Sequence, residues 1–344
     1  MIRSRRRGSG FLSGFWLSPS GKVGVTLLAV FTAMAIAHPI LMATVWSPSV
    51  YDPEIGYGLI PIDKTVVEEV TDPDTQVVLL DAKLGNPFVK VGDTIQQVER
   101  PGLSLDHPFG VDPLGRDILS MTMAGARPTL VLGLVAALTT AIVGMSIAMI
   151  AAYRRGWVDA AIANVSNAFL LFPAPLLMVV LGTSPIAASI GPTEFGIIYG
   201  IVAGAGGAAV VLRSHALAVL ARPFIEASVV AGARGGRIIS RHLLPHLMPL
   251  AAVYMLIGVT GAIVADGFLS FFAYGSSRFN WGTMIAFSIT LNPTSTIPWP
   301  VFVAAGASIS LFAASFYLLA IGIRSGLPDD LITVERSSSR VPLA

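Results

Sequence analysis

Residues 128–153 read PTLVLGLVAALTTAIVGMSIAMIAAY, 26 consecutive positions without an Asp, Glu, Lys or Arg. A helix that crosses the hydrocarbon core of a bilayer needs about 20 such residues. Working outward, the same kind of run recurs at 23–46 (24 residues), 160–193 (34), 195–212 (18), 242–265 (24) and 279–323 (45). The last is long enough for two crossings, but its first half, from Asn280-Trp281-Gly282 to Asn292-Pro293-Thr294-Ser295-Thr296, is too polar and broken to face lipid. Six spans are therefore expected, the sixth near 298–323, with turn formers at Gly182-Thr183-Ser184-Pro185 and Gly191-Pro192 between the third and fourth. Composition agrees, because only 12% of the 344 residues are charged and ordinary soluble chains carry about 25%. The fold class expected is an all-α membrane protein, and an ordinary soluble enzyme is excluded.

Orientation follows from charge, since short basic loops stay cytoplasmic. With both termini inside, 15 of the 22 Lys and Arg fall on inner segments and 14 of the 20 acids on outer ones. The run at 23–46 exceeds the apolar core of a typical signal peptide, and no small-x-small cleavage site follows before Trp46, so it reads as a retained first helix. The organisation expected is a basic cytoplasmic N-terminus (1–22), a first helix (23–46), an extracytoplasmic segment (47–117), a five-helix core (118–325) containing a cytoplasmic loop at 213–242, and a cytoplasmic tail (326–344). The segment 47–117 carries 13 acids and 5 bases, a net charge of −8. Two β-like runs inside it, 76–84 and 87–95, flank Gly85-Asn86 and suggest a hairpin, hence a small extracytoplasmic β element between helices 1 and 2.

The loop between spans four and five is longer than packing requires and reads RPFIEASVVAGARGGRIISRHLLP over 222–245. Pro223 suits a helix first turn, and Glu226 complements the positive end of that helix's dipole. A surface helix over 222–237 would place Ile225, Val229, Gly232 and Ala233 on one apolar face, with a glycine where another backbone could approach. Such a face suits a protein partner. The bland alternatives are a solvated amphipathic helix and arginines that hold the loop inside by charge or touch lipid headgroups.

Glu226-Ala227-Ser228, then Gly232, then Leu244-Pro245, resembles the EAA signature of permease subunits in binding-protein-dependent ABC importers. His107-Pro108-Phe109-Gly110-Val111-Asp112-Pro113-Leu114-Gly115-Arg116-Asp117-Ile118-Leu119-Ser120, followed by Gly125-Ala126-Arg127-Pro128-Thr129-Leu130, is similar to elements of the second permease subunit of dipeptide, oligopeptide and nickel importers. Gly156-Trp157-Val158-Asp159-Ala160, Phe172-Pro173, Arg241-His242-Leu243-Leu244-Pro245 and Trp281-Gly282 extend the resemblance over roughly 105–328. Departures are Ser228 for the second alanine of EAA, Val210 where a first basic residue is common ahead of Arg213, Asn167 for an aspartate, and Asp266-Gly267-Phe268 for Glu-Ala-Ser. The resemblance offers no account of the long acidic segment.

The resemblance implies a type I ABC importer permease arrangement in a prokaryotic inner membrane, carrying peptides. Its implied partners are a sister permease subunit, two ATP-binding subunits or one fused ATPase, and an extracytoplasmic substrate-binding protein. It also implies that the 222–237 helix couples to the ATPase, with Glu226, Ala227, Ser228, Gly232, Arg234, Leu244 and Pro245 as the coupling positions. Asp112, Gly115, Arg116, Asp117, Asp266 and Asn167 are candidates for an outer gate or the pathway. Asp112, Arg116 and Asp117 read rather as a salt-bridged cap on span two, and Asp266 as a solvated or ion-paired lip near the outer surface. Carriage of nickel or another small solute, and a non-transporting scaffold that recruits an ATPase, remain alternatives.

Resident chemistry is not expected. No Cys is present, which removes thiolate catalysis and Cys-based metal sites. A Walker A reading of Gly21-Lys22 fails because Trp16 stands where the first glycine belongs. Gly204-Ala205-Gly206-Gly207 lies in an apolar run, where small residues permit close helix packing. His38, His107, His215, His242 and His246 form no ligand set by spacing; the last two are four apart, but Leu243 follows His242 where HExxH has Glu. No Ser/His/Asp arrangement is identifiable from spacing, no cofactor is implied, and nucleic acid is not an expected partner.

Overall fold

The computed structural model describes residues 18–56, 60–72, 75–85, 87–99, 103–171, 174–184, 190–272, 279–290 and 299–326. In chain order the elements are α1 (Pro19–Thr44), α2 (Pro48–Tyr51), β1 (Ile60–Val67), β2 (Gln76–Val78), α3 (Leu79–Gly85), β3 (Thr94–Glu99) and α4 (Ile118–Arg154). There follow α5 (Gly156–Leu171), α6 (Ala174–Gly182), α7 (Pro192–Leu220), α8 (Pro223–Val230), α9 (Gly235–Phe272), α10 (Trp281–Thr290) and α11 (Trp299–Gly326). Five of these, α1, α4, α7, α9 and α11, are long and apolar enough to cross a membrane. The chain is thus a multi-pass, mostly helical membrane protein with a small sheet between its first two long helices.

The expected third span is described only in part. It falls on α5 and α6, 16 and 9 residues long; Phe172 and Pro173 lie outside the described residues. α4, α7 and α9 overrun their uncharged windows at both ends. Thus α7 continues through Arg213 to Leu220, and α9 begins at Gly235, so Arg237 and Arg241 are helical. Charge marks where a helix leaves an apolar environment, but arginine propagates a helix well, so the helix ends later than the hydropathy does.

The described residues form two compact units, 18–37 with 123–286 and 305–326, and 38–122 with 287–304. The first unit is organised by a seam between α4 and α7. Gly196, Gly200 and Gly204 recur every fourth residue, and a methyl group on each would stand 2.8, 2.9 and 3.0 Å from the carbonyl oxygens of Leu132, Ala136 and Thr140. Apolar burial gains nothing between helices in lipid, so small residues that let backbones touch supply the attraction as van der Waals contact. The opposite face of α4 exposes Leu134, Leu138 and Ile142, a stripe suited to hydrocarbon. Met178 from α6, Phe195, Tyr199 and Val202 from α7, and Ala262, Ala265 and Leu269 from α9 pack on Leu132 and Ala136 as one cluster. Within the glycine-rich stretch, Gly204–Ala208 is a π-helical turn, and Gly206 departs from helical geometry at φ −88°, ψ −107°.

In the second unit the strand order is β2-β1-β3. β1 pairs antiparallel with β3 from Ile60↔Glu99 to Thr65↔Thr94, and parallel with β2 from Thr65↔Gln76 to Val67↔Val78. The hairpin expected at Gly85-Asn86 does not form on this register: 79–85 is the helix α3, Asn86 lies outside the described residues, and β3 pairs with β1 instead. The run Leu-Leu-Asp-Ala-Lys-Leu is rich in good helix formers, and a helix lets Ala82 join Val66, Val77 and Val89 in a small core. Pro61 obscures β1 in the sequence. It is tolerated because β2 pairs only with Thr65–Val67, so the position lacking an N–H has β3 alone beside it.

Gly200→Leu is expected to destabilise the full-length chain by roughly 1–3 kcal/mol through overpacking of the α4–α7 seam. Gly207→Leu, where an added methyl meets only Leu170 at 3.6 Å, serves as a tolerated control. Thermal unfolding in detergent measures both; equal loss in the two variants would contradict the seam.

Candidate functional site

The loop between α7 and α9 is shorter as a helix and better defined as a cap than its sequence suggests. Pro223 opens α8, and Glu226 sits in its first turn. At the other end the Ala233 N–H donates to the Ser228 carbonyl (3.0 Å) and the Gly232 N–H to the Val229 carbonyl (2.9 Å). These are the two bonds of a Schellman cap, with Gly232 in the left-handed region at φ +81°. Gly232 therefore ends the helix rather than lining its face, and a side chain there would meet open space. The expected helix over 222–237 is in fact Pro223–Val230 followed by a turn, so Gly232 and Ala233 do not share a helical face with Ile225 and Val229.

Ile225 is buried, whereas Glu226, Ala227, Gly232, Arg234 and Pro245 are exposed and Val230 is 89% exposed. Ser228 and Leu244 are partly covered. On the inward side, the Ser228 hydroxyl donates to the Phe224 carbonyl at 2.8 Å and lies 3.4 Å from His242 Nε2. The Phe224 ring stacks on His246 with centroids 5.6 Å apart, and His246 Nδ1 donates to the His242 carbonyl at 2.6 Å. Thus α8 is fastened to the first turns of α9 while its apolar outer residues Ala227, Val229 and Val230 stay uncovered. His215 is buried in α7, and its Nε2 has no hydrogen-bond partner among the described residues. The described residues bring no three His, Cys, Asp or Glu together as a metal site.

One link near this loop escaped the sequence reading. Arg213 Nη2 donates to Asp159 Oδ2 at 2.6 Å and Arg213 Nε to the other carboxylate oxygen, joining α7 to the first turn of α5. The signal was a lone acid in a basic region, legible only as charge. Asn167, on the same helix α5, is exposed.

The motif preceding α4 forms a closed polar knot in the second unit. Asp112 accepts from the Leu114 and Arg116 backbone N–H groups (3.0 and 2.8 Å), from Arg116 Nε (2.8 Å) and from Arg116 Nη2. Arg116 is 3% exposed and lies over the Phe287 ring at 5.6 Å. Gly115 makes the intervening turn at φ +81°. Asp117 is the N-cap of α4: it accepts from the Ser120 N–H at 2.6 Å, and its other oxygen accepts from His107 Nδ1 at 2.9 Å. Ser120 donates to the Tyr51 carbonyl and lies 3.2 Å from His38 Nε2. With its proton committed to that carbonyl, the hydroxyl accepts from His38 and is no activated nucleophile. Burial, then the Asp106 and Asp117 charges, push the Tyr51 phenol above its usual range, so it stays protonated and donates to the Asp106 carbonyl. Gly56 packs so tightly on Leu114 that any side chain there would overlap the Leu114 carbonyl.

Asp266 differs from the expected lip. It is 3% exposed in α9 rather than solvated, and its Oδ2 accepts from Asn280 Nδ2 at 2.8 Å.

Residues 144–324 match the family described as the inner membrane component of binding-protein-dependent transport systems. The dipeptide transport system permease protein DppC of Bacillus subtilis is 34% identical over 233 residues, covering 66% of this chain and 70% of that one. The oligopeptide transport system permease protein OppC of the same organism is 31% identical over 235 residues, covering 66% and 73%. The chain belongs to the inner membrane component family of binding-protein-dependent transport systems. The matched region contains α8, its cap and the seam helix α7.

Asp112→Ala is expected to cost about 3–5 kcal/mol, because it leaves the Arg116 guanidinium buried without its partner. Asp112→Ala combined with Arg116→Met should recover most of that loss. Denaturation of the purified chain checks the pair; an additive double variant would contradict the coupling.

Proposed function

We propose that this chain is the permease subunit of an ATP-driven, binding-protein-dependent peptide importer, lining the path together with a sister permease. The observation that carries the reading is α8: a short helix fastened to α9 through Phe224 and Ser228, with Ala227, Val229 and Val230 uncovered, inside the region that matches the family. A rigid helix tied to two spans can turn the closure of an ATPase into rocking of a helix bundle. The peptide assignment is supported by the names of the relatives, both peptide permeases.

In this reading α8 and both termini are cytoplasmic, as the basic loops favour, and segment 47–117 lies outside, where it docks the binding protein. ATP hydrolysis belongs to partner subunits, two ATP-binding proteins or one fused ATPase. Glu226, Ala227, Ser228, Gly232, Arg234, Leu244 and Pro245 form the coupling region. Within it Gly232, Leu244 and Pro245 shape the connection to α9, and Glu226 and Ala227 meet the partner. Asp112, Gly115, Arg116 and Asp117 hold the start of α4 in register rather than contact the cargo.

Purification of the chain from its own membranes should bring an ATPase, a sister permease and a binding protein. Glu226→Lys places a cation at the positive end of α8 and in the docking surface. Uptake of labelled peptide is expected to fall roughly tenfold or more, a coupling loss of at least about 1.4 kcal/mol, with membrane insertion unchanged. Unchanged uptake in that variant, or deletion of 66–98 without loss of uptake, would remove the corresponding part of the proposal.

A further inference from the structure

The short helix α10 is held to α9 by contacts of two kinds. The first is polar. Asn280 caps α10: its Oδ1 accepts from the Thr283 N–H (2.9 Å), and its own N–H donates to Thr283 Oγ1 (2.9 Å). Its side-chain amide then donates both to Asp266 Oδ2 (2.8 Å) and to Ser270 Oγ (2.6 Å), two residues one turn apart on α9. All four side chains are buried. The second contact is steric. A methyl group on Gly282 would lie 2.5 Å from the Gly267 carbonyl oxygen and 2.8 Å from Ser270 Cβ, so the two backbones touch where Gly267 faces Gly282.

Between these, Trp281 points the other way. It is 1% exposed and packs against Gly125 of α4, where an added methyl would meet its indole at 2.6 Å. It also makes edge contacts with Phe31 of α1 at 5.5 Å and Phe312 of α11 at 5.7 Å. One residue clamped to α9 is therefore followed by one wedged among α1, α4 and α11. The same α9 runs unbroken, through a π-helical turn at Ile239–Leu243, from Gly235 beside the α8 cap to Phe272 beyond Asp266.

We propose that Asp266 is a positioning residue: it latches Asn280 so that α10 moves with α9, and Trp281 passes that movement to α1, α4 and α11. The inference rests on the permease reading and adds the element through which a push at α8 reaches the rest of the bundle. Asp266 makes no contact with cargo in this account. A buried carboxylate accepting an amide bond serves as the acceptor, and its charge is secondary to that role.

Four forms of the full chain, assembled with its ATPase, sister permease and binding protein in proteoliposomes, separate the possibilities. Radiolabelled Ala-Phe dipeptide and trialanine are the probes. Asp266→Asn keeps an oxygen to accept from Asn280, and uptake should stay within about twofold of wild type; a carboxylate that bound a peptide amine would lose roughly tenfold or more in the ratio of kcat to KM. Asp266→Leu should lose roughly tenfold in uptake at unchanged KM while ATP hydrolysis continues, raising the ATP consumed per peptide. Combining Asp266→Asn with Asn280→Asp reverses donor and acceptor and preserves the cap, so uptake should likewise stay within about twofold of wild type.

Hydrogen exchange of the detergent-purified chain gives a second readout independent of transport. Amides of 281–290 should exchange about tenfold faster in Asp266→Leu, with those of 192–220 unchanged, and should keep the wild-type rate in the swapped pair. Loss in Asp266→Asn, a raised KM, failure of the swap, or unaltered exchange of α10 would each overturn the latch. A wild-type assembly that imports neither probe would reject the peptide permease reading, and the exchange experiment would still decide the latch.

Discussion

Helices surrounded by hydrocarbon have no hydrophobic reason to associate, so everything else in this chain depends on how closely two backbones can approach. Gly196, Gly200 and Gly204 bring α7 onto the carbonyls of Leu132, Ala136 and Thr140 along three turns. That contact sets the spacing at which Phe195, Tyr199 and Leu269 fill the remaining volume. The same device recurs where Gly267 faces Gly282. Leucine at these positions would hold the helices a side chain apart.

Polar groups are placed with corresponding economy. The knot before α4 closes on itself: Asp112 takes Arg116 Nε and Nη2 and two backbone donors, and Asp117 divides its oxygens between the α4 cap and His107. Buried charge is tolerable only when its hydrogen-bonding capacity is met. These residues accordingly read as architecture, although their types are those of a gate. The α8 region is the inverse case. Its backbone is satisfied by a Schellman cap, yet Ala227, Val229 and Val230 are left uncovered.

Much of this was legible in the chain beforehand, and the failures have physical causes. Uncharged runs located the long helices, and Pro223, Glu226 and Gly232 marked the short one. The ends were misplaced because hydropathy reports solvent, whereas helix termini are set by caps: Gly232 ends α8 five residues before the charge pattern does. The hairpin at Gly85-Asn86 failed because Leu79–Gly85 satisfies both periodicities, and its helix formers and the packing of Ala82 favour the helix while β3 pairs with β1. Asp159 with Arg213, 54 residues apart, left no local trace.

By itself, then, the sequence determined the solvent of the protein, the apolar segments, its family motifs and the place of the short loop helix opened by Pro223, since each is a property of a contiguous stretch. Only the tertiary structure decided that Asp266 is buried against Asn280, that Trp281 wedges between Phe31 and Phe312, and that Gly232 caps α8. Hydropathy and periodicity constrain which face of a helix is covered. Which side chain covers it depends on helices distant in sequence coming within hydrogen-bond or van der Waals reach, and no local pattern encodes that distance.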